Sequence, residues 1–157
     1  MTMYKSFLYI VFRKVIFMLK KVKVKCNKLI MEDILNFFSI AQNQRKEKIL
    51  LGFANQIDGK YIINKIFYFP SFGNENYVVF NTLQQVKFLK WCIINKKIPI
   101  ILHNHVFIED IIFSAPDVLF FNKLLNCFKK LDGEGVIIVG LINLNCDLVM
   151  YMEVSGE

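Results

Sequence analysis

Histidine is scarce in this chain of 157 residues: there are two, and they stand two positions apart as His103 and His105. Proline (three) and glycine (seven) are also sparse, which excludes collagen-like and low-complexity classes. The four cysteines, Cys26, Cys92, Cys127 and Cys146, form no C-x-x-C pair. That spacing fits neither a zinc knuckle nor a small disulfide scaffold, so buried thiols in a reducing cytoplasm are expected. Uninterrupted apolar stretches are short as well. Residues 6–12 and 15–19 are apolar but are separated by Arg13 and Lys14. A spanning helix needs about twenty nearly uncharged residues, and a signal peptide needs a longer core with a small-residue cleavage site. Neither is present, and a cytoplasmic location is expected.

What is abundant is apolar bulk. Hydrophobic residues make up 55% of the chain and sixteen are phenylalanine, enough for one well-filled domain and against disorder. The formal charge of +7 is unevenly placed. Residues 1–28 hold eight Lys/Arg and no acid, whereas residues 29–157 hold twelve Lys/Arg against thirteen Asp/Glu. The body is thus near neutral, which argues against a general nucleic-acid face. Residues 1–20 read as a basic amphipathic N-terminal extension, a helix that packs on the domain, a partner or a membrane surface. A frayed extension or a start at Met18 are its rivals.

From residue 21 the pattern alternates strands and helices. Lys21-Val22-Lys23-Val24-Lys25-Cys26 has the period of a half-buried strand. Ile30, Ile34, Phe37, Phe38 and Ala41 recur at helical spacing. Apolar runs at 49–54 and 61–69 joined around Asp58-Gly59 predict a hairpin closed by Pro70. A loop at 71–76, a short strand at 77–80 and a helix opened by a capping box at Thr82-Leu83-Gln84-Gln85 follow. That helix is expected to turn Leu83, Val86, Leu89 and Ile93 inward. Residues 98–102 form a buried strand that runs into the histidines. Ser114-Ala115-Pro116-Asp117 opens another helix, with Val118, Phe121, Leu125 and Phe128 inward, stopped by Gly133 and Gly135. Strands at 136–142 and 148–154 around a polar turn complete an α/β domain with a mixed, largely antiparallel sheet flanked by helices.

Residues two apart on a strand share a face, so His103 and His105 can hold one ion where their strand ends. A catalytic zinc needs a third protein ligand and an open position. Asp117, in the first turn after the loop, is placed to supply it, with Glu109 and Asp110 as rivals. Hydrolysis also needs a base that is not itself a ligand. Glu47 stands at the mouth of the strand beginning at Ile49, where rigid backbone can aim it. Cys92 and Cys127 have no histidine close in sequence and read as core.

A glutamate ahead of a hairpin, then His103-Asn104-His105, then Ser114-x-x-Asp117 resembles the JAMM metalloprotease (MPN-plus) signature over about residues 21–154. The His-Asn-His form is similar to that of the RadC-type bacterial branch. Val106 stands where the family has proline, and the loop to Ser114 is one residue longer than usual. The resemblance implies a single MPN-like domain over 21–157. In it His103, His105 and Asp117 bind Zn2+, Glu47 is the general base, and Ser114 helps stabilise the oxyanion. It implies hydrolysis of a peptide or isopeptide bond at the extended C-terminal tail of a ubiquitin-like or sulfur-carrier protein, an activity of deubiquitinase type. The alternatives are a non-catalytic MPN-like scaffold for protein partners and a RadC-like protein with a role near nucleic acid.

Overall fold

The computed structural model describes residues 7–12, 15–68, 72–73, 78–79, 81–107, 115–131, 136–143 and 148–155. In chain order the elements are β1 (Phe7–Phe12), β2 (Val15–Lys21), β3 (Val24–Lys25), α1 (Lys28–Asn43), β4 (Ile49–Ile57), β5 (Lys60–Tyr68), β6 (Phe72–Gly73), β7 (Val78–Val79), α2 (Thr82–Ile94), β8 (Ile98–Asn104), α3 (Ala115–Lys130), β9 (Val136–Ile142) and β10 (Leu148–Ser155). Eight strands form one sheet in the order β1-β2-β10-β9-β8-β4-β5-β3, and β6 pairs with β7 separately. All pairings in the main sheet are antiparallel except β8–β9 and β3–β5. The expected mixed, largely antiparallel sheet with helices is present.

The strongest local signals produce the elements they predict. Asp58 (φ 51°) and Gly59 (φ 73°) both take positive φ, as a tight two-residue hairpin turn demands, and Ile57 pairs with Lys60 across it. Helix α1 is capped by Asn27, whose side-chain oxygen accepts from the Ile30 N–H at 2.8 Å. Its buried residues Ile34, Phe38 and Ala41 recur every three or four positions.

Four expectations need correction. Residues 7–12 and 15–21 are two paired strands rather than a helix, and β2 adds to the sheet beside β10. Their run of Phe, Tyr, Ile and Val favours extended backbone, and an available strand edge satisfies it better than an isolated turn of helix. Within 71–76, read as loop, Phe72–Gly73 is a short strand. Helix α2 is capped by Asn81, which accepts from Leu83 N–H (2.9 Å) and Gln84 N–H (3.4 Å), and not by a box led by Thr82. Leu83 is 62% exposed, while Leu89 and Cys92 are buried. Six residues of helix separate Leu83 from Leu89, a rotation that leaves them about 120° apart, so the two cannot share a face. The alternation at 22–26 holds in burial, with Val22, Val24 and Cys26 half-buried and Lys23 and Lys25 exposed, although Val24–Lys25 alone form the strand. Pro70, Gly133, Gly135 and residues 144–147 of the polar turn lie outside the described residues.

Alternation along the central strands splits the core into two layers. Ile49, Leu51, Phe53, Ile101, Val139 and Leu141 face α2 and α3. Leu50, Ala54, Ile100, Leu102, Ile138 and Ile142 face α1. Because β8 and β9 run parallel, the chain must cross over between them, and α3 makes that crossing. Its first turn therefore begins above the carboxyl end of β8, where open sheets characteristically bind ligands.

Gly52 is where two backbones come closest. A Cβ there would lie 2.7 Å from the Lys65 carbonyl oxygen, beside the register shift between Phe53 and Ala54. Gly52→Ala is expected to lower stability by about 1–3 kcal/mol, as overpacking against rigid backbone does, measured as a shift in denaturant midpoint at unchanged slope.

Candidate metal centre

The site grows out of the same alternation. Ile101 faces α3, so His103 does too, and His105 follows just past the end of the strand. Both are buried. The His105 N–H donates to the Ile142 carbonyl at 2.9 Å, which keeps the strand direction one residue beyond its formal end. From above, the first turn of α3 presents Asp117.

The three side chains converge. His103 Nε2 lies 3.0 Å from Asp117 Oδ1, and His105 Nε2 lies 3.0 Å from Asp117 Oδ2. The imidazoles meet edge to face with centroids 4.8 Å apart. One ligand atom from each of the three residues falls within 4.8 Å of the others, so the group could hold a metal ion. Two donors each about 2.0 Å from a tetrahedral ion sit about 3.3 Å apart, close to the two His–Asp gaps.

The hydrogen bonding leaves this cluster incomplete as a purely structural network. His105 Nε2 and Asp117 Oδ2 have hydrogen-bond geometry, but His103 Nε2 does not, despite its 3.0 Å approach to Asp117 Oδ1. Both ring nitrogens of His103 and Nδ1 of His105 are buried without a hydrogen-bond partner among the described residues. Orphaned buried nitrogens are uncommon and call for a water or an ion. Two imidazoles and a carboxylate suit several first-row metals, zinc among them.

Glu47 is also buried. Burial pushes its carboxyl above the ordinary glutamate range; the neighbouring His103 and His105 pull it back, and Asp117 pushes it further up. All three cluster members therefore act on its charge. Two residues on, Ile49 pairs directly with His103.

Ser114 and the rival ligands Glu109 and Asp110 lie outside the described residues, as does Cys146. Cys92 packs in the core with Leu89, and burial pushes its thiol up to about 12, far from a thiolate at neutral pH. Cys127 is half-buried against the same layer. Among the described residues no helix is long and apolar enough to cross a membrane.

Sequence reasoning missed the amides. The side-chain amides of Asn104 and Gln42 gather behind the histidines in one hydrogen-bonded group that includes the main-chain carbonyls of His105 and Asn143. A polar residue between two ligands on an otherwise apolar strand was the available signal. Comparison with protein-family models and with curated proteins finds no match to this chain.

Proposed function

We propose that this chain is a zinc-dependent peptidase or isopeptidase of JAMM type. The observation that carries the reading is the meeting of His103, His105 and Asp117 from β8 and α3, with orphaned imidazole nitrogens and a buried glutamate alongside.

His103 and His105 would bind through Nε2, the nitrogens turned toward Asp117, and Asp117 would supply a carboxylate oxygen. When bound, such an ion polarises water and the scissile carbonyl as a Lewis acid. The rest falls to the chain. Glu47 accepts a proton from the attacking water and returns it to the leaving amine, a role favoured by a carboxyl held above its ordinary range. Ser114 would donate a hydrogen bond to the developing oxyanion.

The substrate class follows from the resemblance, and the sheet offers it a seat. Strand β3 pairs with Tyr61 and Ile62 alone, so among the described residues no strand pairs with the outer side of β5 from Ile63 to Tyr68. An extended C-terminal tail could add there by backbone hydrogen bonds. A cavity of about 540 Å³ opens beside that edge, walled by Phe53, Phe67, Phe88 and Trp91 with Lys65 and Lys87, and would take an apolar or acidic side chain of the tail.

The test is a zinc-loaded chain offered a fluorogenic amide of a ubiquitin-like C-terminal tail. Release that stops on chelation and returns with zinc is expected. Protein that holds one zinc and cleaves neither this amide nor a sulfur-carrier tail amide would refute the assignment.

A further inference from the structure

Asn104 stands between the two histidines and faces the other way, toward α1. It is fully buried. Its side-chain oxygen accepts from the Lys48 N–H at 2.7 Å, and its Nδ2 donates to the Lys46 carbonyl at 3.0 Å and to Gln42 Oε1 at 3.1 Å. Lys46 and Lys48 are the residues on either side of Glu47. The β4–β8 ladder ends at the Ile49–His103 pair. One step further, a side-chain amide makes the donor and acceptor contacts that the parting strands no longer make for each other.

Gln42 braces this arrangement. Its Nε2 donates to the His105 carbonyl at 3.0 Å and to the Asn143 carbonyl at 2.7 Å. Thus one chain of amides joins the last turn of α1, the peptide that carries Glu47, the end of β8 and the end of β9. Among the described residues, the side-chain hydrogen bonds of Asn104 go to Lys48, Lys46 and Gln42. The histidines also have backbone anchors of their own: His103 pairs with Ile49 and Leu141, and His105 N–H with Ile142, so it is Gln42, at the His105 carbonyl, that links the amides to a histidine.

We propose that Asn104, braced by Gln42, is a positioning residue that holds the Glu47 carboxyl against the His103–His105–Asp117 group. This rests on the metal-site reading above. The chemistry demands a carboxamide, because the position must accept one hydrogen bond and donate two at once. Alanine offers neither. Asn104→Ala frees the peptide at 46–48 and leaves the ligands on their backbone anchors, so Glu47 should be displaced while the ion-binding group survives.

The test titrates cobalt(II) into the full chain and reads both affinity and visible absorption. The proteins are wild type, Glu47→Gln, Asn104→Ala, and Ile63→Val as a core control on β5. Wild type is expected to bind one cobalt, and Glu47→Gln to change the band shape by neutralising the adjacent carboxyl. Asn104→Ala should reproduce the Glu47→Gln spectrum with a dissociation constant within about threefold of wild type, short of the 10–100-fold loss that follows removal of a ligand's own partner. Ile63→Val should keep the wild-type spectrum, which separates positioning from general loss of stability.

A wild-type spectrum in Asn104→Ala would overturn the proposal. So would a tenfold or greater loss of affinity, since Asn104 would then be holding the ligands rather than Glu47. A Glu47→Gln spectrum identical to wild type would overturn it too, because Glu47 would not face the ion. Failure of wild type to bind cobalt is a different result, which removes the metal reading itself and the proposal with it. Should Asn104→Ala fail to fold, Gln42→Ala removes the brace and leaves both Asn104 contacts to the 46–48 peptide. It is expected to shift the spectrum partway with a dissociation constant within about threefold of wild type, and an unshifted spectrum, or an affinity loss of about tenfold from disturbing His105, would count against the proposal.

Discussion

Wild-type protein equilibrated with zinc and then desalted is expected to retain one ion per chain, and His103→Ala, His105→Ala and Asp117→Ala to retain almost none. Each substitution takes one of three protein ligands, so zinc affinity should fall by more than about 100-fold, beyond the range seen when only an outer partner of a ligand is lost. Elemental analysis gives the stoichiometry, and competition with a chelator of known affinity gives the loss. Folding should report the same event. An ion that binds the native chain and not the unfolded one stabilises by RT ln(1 + [L]/Kd), about 2.7 kcal/mol at a hundredfold excess over Kd. Zinc should therefore raise the melting temperature of wild type and leave that of the three variants unmoved.

The opposite pattern has a definite meaning. If the cluster were only a structural ion pair, Asp117→Ala would destabilise the protein with or without zinc, and zinc would shift no melting temperature. The 3.0 Å contacts of Asp117 to both imidazoles are compatible with either outcome. The misdirected approach of His103 Nε2, a buried nitrogen with no hydrogen-bond partner among the described residues, favours the ion.

The sequence carried more of the site than of its supports, for physical reasons. His103, His105 and Asp117 were legible because strand period, helix start and ligand chemistry are local properties, and the parallel crossover from β8 through α3 brings them together. The hairpin at Asp58-Gly59 was legible because few residues accept positive φ twice in succession. The Asn104–Gln42 link was not, because it joins residues sixty-two apart through side-chain hydrogen bonds that no periodicity encodes. Residues 7–12 and 15–20 were misread for a related reason. A short stretch of apolar residues with interspersed lysines suits either period, and the choice was made by a distant strand, β10, that had an edge to offer. Leu83 was assigned inward by its three-residue steps to Val86 and Leu89, although two such steps accumulate a drift of about 120° that places it on a different side of α2.

Glu47→Gln should separate metal from catalysis. The amide is nearly isosteric with the carboxyl, is not among the three converging side chains that could hold a metal ion, and cannot accept a proton from water. Zinc should therefore stay bound, while cleavage of a tail amide falls by about 100- to 10,000-fold, the usual contribution of a positioned general base. Loss in kcat at little-changed KM is the expected form, since the group acts on the reacting water and not on the docked tail. A second readout needs no substrate. In chelator-treated protein the native Glu47 carboxyl titrates above its unfolded value because burial disfavours its charge. Its contribution to stability is then fully present below the unfolded carboxylate pKa and lost as pH rises through the higher native one. Glu47→Gln has no such proton to lose. Between those two pKa values the wild type should lose stability with rising pH relative to the variant, and at higher pH the metal-free variant should be the more stable of the two. Equal pH dependence in both proteins would mean that Glu47 is as well solvated folded as unfolded, and full cleavage by Glu47→Gln would remove it from the reaction altogether.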